Sequence, residues 1–137
     1  LLISNNFKMK KIATVLAVVL FNSIGFAQSG AKIAFKADNN TLDYGTITKG
    51  KDNGIRVFEF TNTGDAPLII SSVQSTTSCT ILSKQNDTIL PGKSSRIEVK
   101  YNMVPGPIRK TITVESNAVN YDEGRIPLKI KGEVLSN

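Results

Sequence analysis

Residues 55–73 read IRVFEFTNTGDAPLIISSV. The first eight alternate, so that Phe58 and Phe60 fall on one face of an extended chain, which predicts a strand. The next part, Asn62 to Pro67, combines the Asn, Gly, Asp and Pro residues that favour turns. A second β-branched run, Leu68 to Val73, predicts another strand. The stretch therefore reads as strand, turn and strand.

The same pattern continues on both sides of this stretch. No useful helical periodicity appears after Gln28, and short β-branched and aromatic runs recur about every ten residues, as is typical of an antiparallel sandwich or barrel. Turns are predicted at Asn53-Gly54, Pro91-Gly92 and Pro105-Gly106-Pro107. The further predicted strands are Ile33–Lys36, Leu42–Ile47, Cys79–Leu82, Ile89–Leu90, Arg96–Tyr101, Lys110–Glu115 and Arg125–Lys131.

Most of these strands alternate apolar and polar residues, which predicts two antiparallel sheets packed face to face. We therefore predict an all-β fold with a single antiparallel β-sandwich of about seven to eight strands over residues 28–137. The predicted core residues are Phe58, Phe60, Leu68, Ile70, Ile97, Val99, Tyr101, Ile112, Val114, Leu128 and Ile130.

Residues 1–27 are predicted to comprise a few upstream residues and a cleavable signal peptide helix, with Met9 as the initiator. Three lysines precede an apolar run that begins at Ile12, and small residues precede a cleavage site between Ala27 and Gln28. The alternative is a buried N-terminal helix, but everything that follows reads as strand. We therefore expect an exported protein, periplasmic or extracellular, with no transmembrane segment after processing.

The charge gives little support for nucleic-acid binding. The whole chain has a formal net charge of +6, but three of its 17 basic side chains and none of its 11 acidic ones lie before residue 28. The remaining charges are interspersed, and most aromatic residues belong to the core pattern. A nucleic-acid site needs a clustered basic face, usually with aromatic residues for stacking.

The residue inventory excludes several kinds of catalytic site. The chain has no histidine and one cysteine, so a Ser-His-Asp triad and the usual zinc sites lack their residues. Gly45 to Lys51 fits most of a phosphate-binding loop, but Asp52 replaces the required Ser or Thr and a strand follows. Asp122-Glu123, the adjacent carboxylate pair, reads as a solvated turn. No cofactor is expected.

Cys79 and Thr88 are the two candidate sites of covalent modification. With no histidine to activate it, Cys79 reads either as a half-buried structural thiol or as an intermolecular disulfide with a partner or a second copy, since no second cysteine exists in the chain. Asp87-Thr88-Ile89 resembles the Asp-Thr/Ser-apolar O-glycosylation site of some bacteria, which makes Thr88 a weaker candidate.

An ordered set of motifs resembles domain-of-unknown-function family 1573, a family of small exported bacterial proteins. They are Phe58–Ile70, Leu90-Pro91-Gly92, Ile97–Asn102, Lys110–Ala118 and Leu128–Val134. The resemblance implies an immunoglobulin-like sandwich and no established activity. Family members often carry Ser-Cys-Gly-Cys-Thr where this chain has Thr76–Thr80, so Thr77 takes the place of the first cysteine and no metal or redox site of that pair is implied.

Two functions from different classes remain. The first is a non-enzymatic binding or structural module of the cell envelope, with another envelope protein as partner, recognised by pairing at a sheet edge. The sequence does not indicate which edge. The second is a carboxylate- or metal-dependent enzyme, which needs a concave polar site that short turns leave little room for. We favour the binding module.

Overall fold

The computed structural model describes residues 29–83 and 88–137. The predicted signal peptide, with Ala27 and Gln28, lies outside this part of the chain. Within it, the fold is all-β, as predicted, with two short 3-10 turns at Asp38–Asn40 and Asp122–Gly124. The strands are β1 (Ile33–Phe35), β2 (Thr41–Thr48), β3 (Ile55–Asn62), β4 (Leu68–Gln74), β5 (Cys79–Ile81), β6 (Thr88–Ile89), β7 (Ser94–Tyr101), β8 (Gly106–Ser116) and β9 (Arg125–Leu135).

The strands form two sheets. The five-stranded sheet has the order β2-β9-β8-β4-β6, and the four-stranded sheet has the order β1-β3-β7-β5. The strands β3 and β4 therefore lie in different sheets, and the turn at residues 62–67 carries the chain from one layer to the other. This crossover explains why residues 55–73 establish a sandwich rather than a simple hairpin.

One strand pair departs from the antiparallel arrangement predicted from the sequence. Among the described strands, β2 and β9 run parallel, while the other pairs are antiparallel. Because β2 is followed by a strand of the opposite sheet, it pairs with a strand far along the chain. No hairpin fixes its direction, and its sequence alone gives no signal for it.

A bulge interrupts the β2–β9 pair at Gly132. Lys131 lies opposite Asp43 and Glu133 opposite Thr46, so two residues of β2 face one residue of β9. Gly132 has φ +148°, and a Cβ placed on it would lie 2.8 Å from the carbonyl oxygen of Gly45. A side chain does not fit here, so glycine allows the two backbones to approach.

All eleven predicted core residues are buried. The sandwich also buries residues that the prediction omitted, among them Tyr44, Met103, Ile108 and Val134. Ile108 lies outside the predicted strands because Pro105-Gly106-Pro107 predicts a turn, whereas β8 begins at Gly106. Proline is tolerated there because it lies at the start of the strand.

The turn between β3 and β4 is organised by Asn62, which is fully buried. Its Nδ2 donates to the carbonyl oxygens of Ala66 at 2.8 Å and Ile89 at 2.9 Å, and its Oδ1 accepts from the amide of Gly64 at 2.9 Å. Since Ile89 belongs to β6 of the five-stranded sheet, the side chain joins the two layers. Its polar atoms are paired, as a buried amide requires.

Candidate functional site

The sheet edges differ greatly in length. In the four-stranded sheet, the edge strands β1 and β5 have three residues each, and in the five-stranded sheet β6 has two and β2 has eight. An edge strand presents unpaired backbone groups to which a partner strand adds, and natural proteins shorten or cover such edges. The edge of β2 is the long one within residues 29–83 and 88–137.

The edge of β1 is covered by an asparagine side chain. The amide of Ile33 donates to Oδ1 of Asn120 at 3.1 Å, and Nδ2 of Asn120 donates to the carbonyl oxygen of Ile33 at 2.9 Å. Next to this pair, the amide of Val119 donates to the carbonyl oxygen of Ala31 at 2.8 Å. The side-chain amide of Asn120 thus takes the position of a partner strand, and β1 does not offer a free edge there.

The edge of β2 has no such cover among the described residues. The amide of Lys49 donates to the carbonyl oxygen of Leu135 in β9 at 2.9 Å. Because backbone groups alternate sides along a strand, Thr46 and Thr48 point theirs away from β9. Thr48 accepts a hydrogen bond from the amide of Lys51. Thr46 therefore lies where a partner strand would pair.

The composition of β2 also suits pairing. Its sequence, TLDYGTIT, contains four β-branched residues and a single charged one, with neither lysine nor proline. Lysine and proline are the residues that commonly block edge strands. The bulge at Gly132 twists the pair locally, but three paired residues remain on each side of it.

A basic face adjoins this edge on the solvent side of the five-stranded sheet. We define it as Arg109 of β8 with Lys129 and Lys131 of β9, all exposed. Arg109 lies opposite Lys131 and Thr111 lies opposite Lys129, and these residues, together with Thr41 of β2, line a shallow open depression. Two carboxylates are nearby: Asp43, whose Oδ2 lies 4.0 Å from Nζ of Lys131, and Glu133, the next exposed residue of β9, which lies opposite Thr46 of β2.

Cys79 lies in β5 and is buried with a free thiol, 8% exposed. Burial raises the pKa of the thiol, and the nearby charge of Lys110 lowers it in part. Lys110 is 31 positions further along the chain than Cys79, so sequence spacing gives no sign that its charge lies near the thiol. A disulfide with another molecule stays a prediction, and it requires the buried Sγ to become accessible.

Asp52, the residue that breaks the phosphate-loop pattern, has a structural role. Its carboxylate accepts from Arg56 at 3.1 and 2.9 Å and from the amide of Gly54 at 2.7 Å. The hydrogen bonds from Arg56, followed by that from Gly54, lower the pKa of the Asp52 carboxyl. The guanidinium of Arg56 lies 4.4 Å from the ring centroid of Tyr44. The loop closes onto the sandwich and leads into β3.

The other predicted positions are dispersed. Thr88 is the exposed first residue of β6 and pairs with Ile69, so its hydroxyl side is accessible and its glycosylation stays a prediction. Asp122 and Glu123 lie in an exposed 3-10 turn. Within the described ranges, no three His, Cys, Asp or Glu residues are grouped so as to hold a metal ion. None of the described helices has the length and apolar character needed to cross a membrane.

The long β2 edge and the basic face were not found from the sequence. Arg109 and Lys131 are 22 positions apart in the sequence, and only the β8–β9 register places them side by side. The alternation of Arg125 to Lys131 does indicate that Lys129 and Lys131 share a face. The sequence does not indicate that β8 and β9 pair as a long hairpin, and this pairing is what brings Arg109 next to Lys131.

Comparison with known proteins identifies a family and a fold. A family model described as "Protein of unknown function (DUF1573)" matches residues 35–134. No curated protein matches the chain. A protein of unknown function from Porphyromonas gingivalis W83 has a similar structure, with a TM-score of 0.62 and 19% identity over 78% of this chain. This chain spans 48% of that protein, about half its length.

Two further solved structures share the sandwich. PapD-like domain 7 of human CEP192 is similar at a TM-score of 0.55 and 12% identity, over 77% of this chain and 87% of that domain. The VesB protease of Vibrio cholerae is similar at a TM-score of 0.55 and 15% identity, over 74% of this chain and 32% of that protein. At these identities the likeness shows the fold alone, and it confirms the predicted immunoglobulin-like sandwich.

Proposed function

The chain belongs to the DUF1573 family, and we propose that it is an exported, non-enzymatic binding module that recognises another protein of the cell envelope by strand addition at the β2 edge. The open outer side of β2 carries this proposal. Backbone pairing would supply affinity, and the side chains beside the edge would supply selectivity.

The contrast between the edges supports this choice. The edge of β1 has three residues and is sealed by the side-chain amide of Asn120, whereas β2 has eight residues, contains neither lysine nor proline, and keeps the outward backbone amide of Thr46 open. An exposed edge of this length is a liability for aggregation unless a partner uses it. A binding function gives a reason for leaving it open.

The geometry of the described residues favours binding over catalysis. Asp52, the carboxylate with a clearly lowered pKa, is tied to Arg56 and Gly54 and supports a loop. The depressions on the sandwich are shallow and open to solvent. A catalytic site usually joins a concave pocket to titratable groups with perturbed pKa values. Asp52 and Tyr101 do line one open depression, but the Asp52 carboxylate is held by Arg56 and Gly54, and the Tyr101 side chain is buried.

Thr46→Pro tests the proposal at the edge itself. Proline removes the amide of Thr46, which points away from β9, and so removes a hydrogen bond that a partner strand would make. Thr46→Val is the matched control because it keeps the amide and the branched shape. We expect immobilised wild type and Thr46→Val to retain a common envelope protein that Thr46→Pro loses, with circular dichroism confirming that all three are folded.

Hydrogen exchange provides a second test that needs no substitution. When the retained protein is bound, the amide of Thr46 should exchange more slowly, while the amide of Ile33, already bonded to Asn120, should not change. Equal retention of the partner by Thr46→Pro and Thr46→Val, without protection of Thr46, would refute recognition at this edge.

A further inference from the structure

The basic face contains a like-charged pair that works against the stability of the fold. Arg109 and Lys131 lie directly opposite each other on neighbouring antiparallel strands and on the solvent side. Like charges in this position are destabilising. At the other end of the same hairpin, Arg125 lies opposite Glu115, and their charged groups are 3.8 Å apart in an ion pair. The same two strands therefore carry one favourable and one unfavourable cross-strand pair of charges.

Lys129 extends the positive charge towards β2. It lies between Thr111 of β8 and Thr41 of β2, so uncharged neighbours flank it on both strands. Among the described residues, Lys129 and Arg109 form no ion pair, and Lys131 has the one contact with Asp43 at 4.0 Å. The carboxylates of Asp43 and Glu133 both lie beside the Lys131 end of the face, so the excess of positive charge next to the open edge is at Lys129.

We propose that the segment that adds to β2 is acidic, with Asp or Glu side chains that project onto the basic face. This inference rests on the proposed function, since it specifies the chemistry of the strand that pairs at that edge. The segment adds negative charge to a face on which the fold pairs only Lys131 with a carboxylate among the described residues. A surface that costs stability in the free protein is typical of binding sites.

The spacing of strands makes this contact feasible. Neighbouring strands lie about 4.8 Å apart, so an added strand lies roughly 10 Å from β9. Thr41, a short side chain, separates Lys129 from the added strand, and a glutamate reaches across it towards the lysine ammonium. Opposite Asp43, an acidic residue would instead meet a like charge. We therefore expect the acid opposite Thr41 and a neutral or basic residue opposite Asp43.

A second copy of this chain fits the edge less well. Pairing β2 with another β2 would bring a second basic face onto the same side of one continuous sheet and would add positive charge to positive charge. Residues 28–137 are basic as well, because three of the 17 basic and none of the 11 acidic side chains lie before residue 28, which leaves a formal +3. Charge complementarity thus favours an acidic partner.

Three synthetic eight-residue peptides test the proposal on the folded protein. They alternate Val with Glu, Val with Gln, or Val with Lys, and all have blocked ends. Binding is followed by shifts in the backbone NMR signals of β2 at low salt. We expect the Val/Glu peptide to bind at least fivefold more tightly than Val/Gln and the Val/Lys peptide to bind most weakly. The advantage should fall on raising the salt concentration, because exposed charges are screened.

Lys129→Gln and Arg125→Gln separate local recognition from net charge. Each removes one positive charge from the same face of β9, but Arg125 lies beyond the part of β9 that pairs with β2. The preference for Val/Glu over Val/Gln should shrink by at least twofold in Lys129→Gln and remain in Arg125→Gln. Equal effects of the two substitutions would overturn the proposal.

The peptides also distinguish the inference from the function on which it rests. If Val/Gln binds at β2 and Val/Glu gains nothing, pairing at the edge stands and the acidic partner is refuted. If no peptide shifts the β2 signals, both are refuted. If the protein instead sediments with vesicles containing phosphatidylglycerol, dependent on Lys129, while Val/Glu shows no preference, the basic face serves a membrane surface and the acidic-strand proposal fails.

Discussion

The side chain of Asn62 in one sheet donates a hydrogen bond to the backbone of Ile89 in the other, with Nδ2 and the carbonyl oxygen 2.9 Å apart. The residue is fully buried and also contacts Ala66 and Gly64 by hydrogen bonds. The buried Asn62 side chain therefore links the two sheets by hydrogen bonds at the point where the chain crosses from one to the other.

Asn62→Ala should lower the free energy of unfolding by roughly 3 kcal/mol, because it leaves buried backbone groups without partners, each at a cost of about 1–3 kcal/mol. Urea unfolding followed by circular dichroism measures this loss. The matched control is Asn53→Ala, which removes the acceptor of one exposed hydrogen bond to the amide of Ile55. If Asn62→Ala lowers the free energy of unfolding no more than the control does, Asn62 does not stabilise the contact between the two sheets.

Asn120→Ala should open the edge of β1. The substitution removes both hydrogen bonds to Ile33 and exposes its backbone groups to another chain. We expect a loss of about 1 kcal/mol in stability and faster aggregation, measured by light scattering during slow heating. Asn117→Ala is the control, because the Asn117 side chain accepts from the amide of Ile69 in β4 and donates to the carbonyl oxygen of Pro67 just before it. Aggregation that increases equally in both variants would indicate a general loss of stability.

The sequence predicted the strands and the core well because both follow from local alternation. Every predicted core residue is buried, and β3 begins and ends at Ile55 and Asn62 as predicted. The family resemblance, confirmed by the match over residues 35–134, added the immunoglobulin-like arrangement. These properties depend on neighbours within about ten residues of chain, where the two-residue period of a strand is visible.

Long-range pairing was not predictable in the same way. The parallel β2–β9 pair joins strands from opposite ends of the described chain, and the rung of Arg109 and Lys131 depends on the register of a long hairpin. The role of Asn120 was equally unpredictable from the sequence, because its hydrogen bonds to Ile33 span 87 positions. The open edge and the basic face are consequences of these pairings, so the candidate site emerged only with the fold.

The ion pair of Asp52 and Arg56 should contribute stability that depends on pH. The pKa of the Asp52 carboxyl is lowered in the folded state, chiefly by the hydrogen bonds from Arg56. The contribution is therefore complete above the unfolded pKa of about 4 and is lost as the pH falls through the folded value. The difference in stability between wild type and Asp52→Asn should be constant near pH 7 and narrow below about pH 4. The difference in stability between wild type and Arg56→Gln should narrow in the same pH range. A difference that is independent of pH would contradict the assignment.

Cys79 should react slowly with alkylating reagents in the native state. The thiol is buried and its pKa is raised, so both access and the thiolate fraction are reduced. We expect iodoacetamide labelling at pH 8 to be at least tenfold slower than in urea, as followed by intact mass. Rapid native labelling would show that the thiol becomes accessible in the folded protein, which is the condition that the predicted intermolecular disulfide needs.

Arg109→Glu should stabilise the protein, since it replaces a like-charged rung by an opposite-charged one. Glu at this position would face Lys131, as Glu115 faces Arg125 at the other end of the hairpin. Cross-strand charge pairs contribute roughly 0.2–1 kcal/mol, so the urea midpoint should rise slightly. Arg125→Glu is the mirror control, because it places a carboxylate opposite Glu115 and should lower the midpoint. Both substitutions change the net charge equally, so opposite shifts isolate the local pairing. If Arg109→Glu lowered the midpoint instead, the pair of Arg109 and Lys131 would not destabilise the fold. The inference that the basic face is maintained for a partner would then lose its energetic support.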